Sequence, residues 1–145
     1  VVAVLVAEAD HVAVTDAEQV GGPGEVEVVV VGLVGLVGPH QGAFEVDGEL
    51  TNLLDCNCSI CQRKGALLWF VPRANLRLLT PDENLKTYTF GKGRIKHRFC
   101  PECGIHPLGE GAMPDGTPMA AINVRCLEDV DFSGLPVTHY DGRSL

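Results

Sequence analysis

Short apolar segments separated by glycine and proline dominate the chain from residue 43 onwards. The clearest is Ala66 to Val71, which has the length and the aromatic and aliphatic content of a buried strand, and Pro72 would end it. Similar segments predict strands at residues 50–54, 75–79, 86–90, 94–99 and 119–124. Segments this short, with no convincing helical period, indicate a mainly β architecture.

Turn residues suggest how some of these strands are joined. Asp47-Gly48 supplies the positive φ values of a two-residue turn, so residues 44–50 are predicted to form a hairpin. The return strand would then deliver Cys56 at its end. Gly91-Lys-Gly93 would join the strands at 86–90 and 94–99.

A change of composition near residue 42 divides the chain. Residues 1–38 contain 14 valines, mostly among Ala, Gly, Glu and Asp, and no aromatic residue. Two interpretations stay open: a low-complexity extension with little fixed structure, or translation from a wrong frame of a GC-rich gene, which the abrupt change favours. We therefore predict a low-complexity segment at 1–42, disordered or out of frame, and a folded domain at 43–145.

The charge distribution argues against two classes of partner. The formal net charge is −8, and every lysine and arginine lies at or after Arg63. Neither half of the chain has the basic stripe of a nucleic-acid binder, and the acidic balance disfavours anionic lipid. The chain starts without a basic leader, and its longest apolar run, residues 28–38, is too short to span a bilayer. We expect a soluble cytoplasmic protein with reduced thiols.

Three cysteines form the first candidate site. Cys56, Cys58 and Cys61 follow the pattern C-x-C-x-x-C. Three sulfurs within six residues can converge on one tetrahedral ion such as zinc and leave its fourth position for water or a ligand. Because sites with three protein ligands are the ones that perform chemistry, this trio is the candidate active site, and Cys58 is its candidate catalytic residue.

Two further cysteines form a knuckle, C-x-x-C-G, in which Gly104 permits the positive φ that the turn needs. A knuckle supplies two ligands and requires two more from another segment. Two alternatives stay open: both cysteine groups are purely structural zinc sites, or Cys58-Ser-Ile-Cys61 is a redox dithiol, although it lacks the expected βαβ context. The candidate zinc ligands are Cys56, Cys58, Cys61, Cys100 and Cys103.

Five ordered motifs carry a resemblance to a known family. They are Asp55–Cys61, Gly65-Ala66, Tyr88–Phe90, Arg98–Gly104 and Asn123–Cys126. Together they resemble the glutathione-dependent formaldehyde-activating enzyme family, whose superfamily includes the centromere protein V group. The resemblance covers residues 43–145. It implies antiparallel sheets in a β-tent arrangement, with zinc at the apex of the tent.

The resemblance also implies roles for the cysteines. In that family the C-x-C-x-x-C trio holds a catalytic zinc, and the C-x-x-C knuckle joins an N-terminal C-x-C around a structural zinc. This chain lacks the N-terminal pair and has Gly38-Pro-His-Gln-Gly42 in its place. His40 is a candidate third ligand, with a surface loop residue as the alternative.

The implied function is that of a zinc-dependent carbon–sulfur lyase that joins or splits a glutathione-like thiol and a small aldehyde such as formaldehyde. Zinc would hold the thiol as a thiolate, which adds to the carbonyl carbon. No nucleotide fingerprint or Ser-His-Asp order competes with this hypothesis. Two alternatives remain: a non-catalytic zinc module for a macromolecular partner, and a poorly folded relative that keeps the trio.

Other residues are assigned weaker roles. Arg63 and Lys64, just past the trio, would attract the carboxylates of a glutathione-like peptide or lie in a solvated turn. His97 and His106 would line the pocket or make structural hydrogen bonds. The remaining candidates are Trp69 and Phe70 as core or pocket wall and Cys126 as a buried small hydrophobe.

Overall fold

The structure, a computed structural model, describes residues 2–8, 11–17, 28–34, 42–128 and 130–144. The strands are β1 Val2–Glu8, β2 His11–Ala17, β3 Val28–Val34, β4 Gly42–Gly48, β5 Leu53–Cys56, β6 Leu68–Pro72, β7 Leu76–Leu78, β8 Lys86–Tyr88, β9 Lys96–Phe99, β10 Leu108–Ala112, β11 Pro118–Asn123 and β12 Val137–Tyr140. A short helix, α1, and four 3-10 turns complete the elements: Ser59–Lys64, then Arg73–Asn75, Asp82–Asn84, Val124–Cys126 and Gly142–Ser144.

The described strands form three sheets. The largest has seven strands in the order β12-β5-β6-β11-β10-β9-β8, and the others have the orders β3-β4-β7 and β1-β2. The pairings are antiparallel except that β12 runs parallel to β5. The mainly β prediction is therefore confirmed, with one parallel pair added, while the tent arrangement stays an expectation.

The hydrophobic core lies against one face of the seven-stranded sheet. Successive side chains of a strand point to opposite faces, so Trp69 and Val71 of β6 are buried on the same side as Ile122 of β11. Phe44 and Val46 of β4 join the same hydrophobic cluster. The core therefore connects the seven-stranded and three-stranded sheets, and it leaves the opposite face of β6 and β11 for other uses.

The predicted hairpin at Asp47-Gly48 is wrong. Both residues lie in β4, which pairs with β3 and β7, whereas β5 pairs with β6 and β12. Gly48 is needed for a different reason: its φ is +154°, and a Cβ there would lie 2.9 Å from Cζ2 of Trp69. The chain therefore continues past Gly48 into the other sheet, and β5 does deliver Cys56 at its end, as expected.

The predicted strands from residue 66 onwards agree well with the structure, because β6, β7, β8, β9 and β11 each overlap one of them. The sequence pattern does not predict α1, β10 or β12. The strand β10, Leu-Gly-Glu-Gly-Ala, contains two glycines and no β-branched residue, so its intrinsic preference for a strand is weak. Pairing with β9 on one side and β11 on the other holds it in place.

A charged network stabilises the end of the seven-stranded sheet that contains β9 and β10. Arg98 of β9 is buried, and its guanidinium donates to Asp82 Oδ1 at 2.6 Å and to Glu110 Oε2 at 3.3 Å. Glu110 of β10 also pairs with Arg73. A buried charge is tolerated only when it is paired, so this network fixes β9, β10 and the turn at 82–84 relative to one another.

The division of the chain at residue 42 stays a prediction. Among the described residues, β3 lies before that point and pairs along its length with β4. Within the same residues, no helix is both long and apolar enough to cross a membrane.

Candidate metal centre and adjoining cavities

The three thiols of the trio converge in the structure. Cys56 ends β5, Cys58 immediately precedes α1, and Cys61 lies in that helix. Their Sγ atoms all lie within 4.8 Å of one another. The backbone N–H of Cys58 also donates to Cys56 Sγ at 3.4 Å. The junction of a strand with a short helix therefore brings together the donors that the spacing predicts.

The donor set fits zinc. Bonds of about 2.3 Å from zinc to sulfur separate the sulfurs of a tetrahedral site by about 3.8 Å, so small movements would complete the site. In the part of the chain that the structure describes, no fourth Cys, His, Asp or Glu ligand atom joins the group. Three soft donors without a fourth protein ligand are the pattern of an open zinc site.

The thiols do not share negative charge equally. Burial, with the neighbouring Cys58, raises the pKa of Cys61 to about 12, and burial also raises the pKa of Cys56. Burial acts to raise the pKa of Cys58 too, but hydrogen bonds from the backbone N–H of Cys61 and from the other two thiols lower it overall. The trio alone therefore holds a charge most easily on Cys58, and three thiolates together require a cation beside them.

The C-terminal segment holds the loop between the first two thiols. The Asn57 N–H donates to the carbonyl of Tyr140 at 3.1 Å, and its side chain donates to Asp141 Oδ1 at 2.8 Å and accepts from the Arg143 N–H at 2.9 Å. A Cβ on Gly142 would lie only 2.7 Å from Cys56 Sγ. Sequence reasoning missed this segment, because only the parallel pairing of β12 with β5 brings it to the trio.

The knuckle adopts the predicted turn. Gly104 has φ +76°, its N–H donates to the carbonyl of Cys100 at 2.8 Å, and the Cys100 N–H donates to the carbonyl of Ile105 at 2.9 Å. Burial acts to raise the pKa of Cys100, but N–H groups of Cys103 and Glu102 lower it overall. The local geometry of a two-ligand knuckle is therefore present.

The remaining ligands of that knuckle are not found in the described residues. Cys100 is buried and Cys103 is exposed, and among those residues no third Cys, His, Asp or Glu completes a group with them. His40 lies outside the described residues. The two knuckle thiols alone do not make a closed zinc site, so a structural zinc at Cys100 and Cys103 stays a prediction.

A cavity of about 290 Å³ adjoins the trio, and Cys61 and Lys64 of α1 both line it. Lys64 Nζ lies 3.5 Å from Nδ1 of His97, a buried residue that also lines the cavity. Burial, together with the charges of Lys64 and His106, lowers the pKa of His97 to about 4. The cavity therefore combines an ammonium group with an imidazole that is neutral at pH 7.

His106 lies close to the same groups. It lines the 290 Å³ cavity, and burial and the charge of Lys64 lower its pKa. Its ring stacks on that of Phe99, with 5.3 Å between centroids. In the described part of the chain, Nδ1 of His106 and Nε2 of His97 are buried without hydrogen-bond partners. Of the two roles considered for His97 and His106, lining a pocket and making structural hydrogen bonds, the structure shows that both line this cavity.

Residues of α1 also line two further cavities, which are more open to solvent. One, of about 970 Å³, is lined by the cationic residues Arg63, Lys64 and Arg125 and by the exposed rings of Tyr88 and Phe90. The second, of about 570 Å³, is lined by Cys58 and by the cationic residues Arg63 and Arg143. Cationic side chains therefore line the cavities next to α1, although the whole chain is acidic.

The other candidates divide between core and cavity. Trp69 is in the core, while Phe70, next to it on β6, faces the 290 Å³ cavity. Cys126 is half-buried, and burial and the nearby Cys103 raise its pKa to about 11. Asn123 has a structural role: its side chain accepts from the Leu67 N–H at 3.4 Å and donates to the His106 carbonyl at 3.3 Å.

The fold and the site define a mainly β protein with a thiol-rich candidate metal centre. The profile of the glutathione-dependent formaldehyde-activating enzyme family matches residues 41–139, about two thirds of the chain, and the chain belongs to that family. The resemblance identified from the cysteine motifs is thereby confirmed. The crystal structure of a Rhodobacter sphaeroides protein is also similar, with 30% identity over 67% of this chain and 92% of that one, and a TM-score of 0.57.

Proposed function

We propose that this protein is a zinc-dependent enzyme that forms or cleaves the carbon–sulfur bond between a glutathione-like thiol and an aldehyde. Membership of the formaldehyde-activating family supports a function that involves glutathione and an aldehyde. The observation that carries the proposal is the convergence of Cys56, Cys58 and Cys61 beside cavities lined by lysine, arginine and histidine.

The trio would hold the zinc ion, as its donor chemistry fits. Zinc bound there would lower the pKa of a thiol or water at its open position and so supply a nucleophile. The C-terminal segment supports this arrangement, because its bonds to Asn57 fix the loop that carries Cys56 and Cys58.

The open cavities suit the thiol substrate. A glutathione-like peptide carries carboxylates, and Arg63 and Arg125 line the cavity of about 970 Å³. Guanidinium groups bind carboxylates with two parallel hydrogen bonds, so they orient as well as attract. Arg143 adds a third guanidinium beside Cys58.

Lys64 is placed to assist the addition step. As the thiol sulfur bonds to the carbonyl carbon, the C=O π bond opens and negative charge collects on the oxygen. The Lys64 ammonium would stabilise that charge and donate a proton, and it would regain one through solvent from the proton that the thiol released. The product is a hydroxyalkyl thioether, and the reverse steps cleave it. The neutral His97 ring, which accepts from Lys64, would hold the ammonium in position.

The test is thiol-dependent aldehyde consumption by zinc-loaded protein. Cys58→Ser should lower activity by more than roughly 100-fold. Removing a residue that only supports a metal ligand can already cost that much, and Cys58 is a candidate ligand itself. The matched comparison is Cys126→Ser, a cysteine outside the trio that lines the 970 Å³ cavity, and it should lose far less activity than Cys58→Ser. Unchanged turnover in Cys58→Ser, or zinc binding by the parent without any turnover, would contradict the proposal, and the second result would favour a non-catalytic zinc module.

A further inference from the structure

The floor of the 290 Å³ cavity is a row of residues that runs across four neighbouring strands. Phe70 of β6 pairs with Ala121 of β11, Ala121 pairs with Gly109 of β10, and Gly109 pairs with His97 of β9. All four line the cavity. Because the two central residues are the smallest of the row, the floor is low between the phenyl and imidazole rings.

Exposed apolar side chains surround this floor. Phe70, Ile95 and Met113 are 47%, 51% and 49% exposed, although large hydrophobic side chains are normally covered. All three line this cavity. Exposed apolar groups that converge on one concave site mark a place where a ligand covers them.

The size of the cavity exceeds what formaldehyde needs. A water molecule occupies about 30 Å³ in the liquid, so a ligand with two heavy atoms would fill roughly 60 Å³. The cavity measures about 290 Å³. Most of this space would remain empty around formaldehyde, with room for up to roughly seven further heavy atoms.

We infer that the aldehyde used by this protein carries an apolar substituent of about five to seven heavy atoms, and that the cavity floored by Ala121 and Gly109 binds it. The inference rests on the proposed function and narrows its substrate class. The carbonyl would lie on the side that Cys61 and Lys64 line, within reach of the thiol. We assign the thiol peptide to the open cavity of about 970 Å³ instead, because Arg63 and Arg125 line that cavity and can bind its carboxylates.

A series of straight-chain aldehydes tests the inference. Propanal, butanal, pentanal and hexanal have similar carbonyl reactivity, so a change in kcat/KM with glutathione reports on the tail. Each methylene that the cavity buries should raise kcat/KM about fourfold. A flat or falling series from propanal to hexanal overturns the inference.

Two variants make the cavity smaller. Ala121→Leu adds bulk to the floor and should lower the hexanal value more than the propanal value, which flattens the series. Gly109→Ala is the milder variant, since a Cβ there meets its nearest atoms at 3.7 Å, an ordinary contact, and it should flatten the series less. The matched control is Ala74→Leu, an exposed site outside the cavity, which should keep the parent series. A parent-like series in both cavity variants contradicts the inference.

Binding of unreactive alcohols provides a readout besides turnover. By calorimetry, 1-hexanol should bind the zinc-loaded protein more tightly than 1-propanol, by the same factor of about four per methylene, and Ala121→Leu should remove the difference. Consumption of aldehydes without a chain-length preference, with equal binding of both alcohols, overturns the inference and leaves the proposed function standing. Failure to consume any aldehyde overturns both.

Discussion

At the scale of single residues, the trio depends on neighbours that are distant in sequence. Asn57 lies between two candidate ligands, and both its backbone and its side chain bond to residues 140–143. Gly142 is required there because nothing larger fits against Cys56 Sγ. The convergence of the thiols follows from their spacing alone, but the support of their loop does not.

Gly142→Ala should therefore weaken zinc binding. A Cβ 2.7 Å from Cys56 Sγ forces either the thiol or the segment to move, and disturbed support of a metal ligand typically costs 10-fold to 100-fold in affinity, roughly the loss expected here. Competition with a chelator measures the affinity. Gly134→Ala is the control, because a Cβ there meets nothing within 4 Å. Equal affinity in the two variants would show that the contact is unimportant.

His97 makes stability depend on pH. Its pKa is about 4 in the folded protein, against about 6.5 in an unfolded chain, so the unfolded state binds the extra proton between these values. Stability should therefore fall as the pH drops from about 6.5 to about 4, and His106, whose pKa is also lowered, acts in the same direction. Urea unfolding at pH 6.5, 5.5 and 4.5 should show a smaller decrease for His97→Gln than for the parent.

The exposed histidine of β12 is the control for this experiment. His139→Gln removes an imidazole from a side chain that is 82% exposed, so it controls for the change from histidine to glutamine itself. If His97→Gln loses as much stability on acidification as His139→Gln does, His97 is not the source of the effect.

At the scale of elements, prediction succeeded where residue type and local pattern agreed. The segment around Trp69 has the aromatic and aliphatic content of a buried strand, and it forms β6. The pattern failed where pairing with strands distant in sequence decides the structure. The strand β10 contains two glycines and depends on its pairing with β9 and β11. Asp47-Gly48 has the sequence of a turn, but pairing of β4 with β3 and β7 keeps both residues in a strand. The six-residue helix α1 is too short to show a helical period.

The network around Arg98 should make a measurable contribution to the stability of the seven-stranded sheet. Glu110→Gln removes the negative charge shared by Arg98 and Arg73 and leaves the buried guanidinium with Asp82, so the free energy of unfolding should fall by about 2–3 kcal/mol. The matched control is Glu45→Gln, since Glu45 pairs with the exposed Arg77 and should contribute less than about 1 kcal/mol. Denaturant unfolding compares the two, and equal losses would contradict the account.

At the scale of the whole molecule, the two faces of the seven-stranded sheet have different tasks. One face packs Trp69, Val71 and Ile122 into the core, and the other presents Phe70 and Ala121 to the cavity beside the trio. Because successive side chains of a β-strand point to opposite faces, β6 and β11 contribute to the core and to the cavity through alternate residues. Sequence alone indicates the candidate metal donors, but it does not reveal the cavity, because the row of residues at its floor comes from four strands.

The central claim is that Cys56, Cys58 and Cys61 hold a zinc ion with one position left open. A crystal structure of the zinc-loaded protein, with an anomalous difference map at the zinc absorption edge, tests it most directly. The account predicts a peak about 2.3 Å from each of the three Sγ atoms, with water or a thiol ligand in the fourth position. A trio without metal in well-ordered density, or a zinc ion closed by a fourth protein side chain, would contradict it.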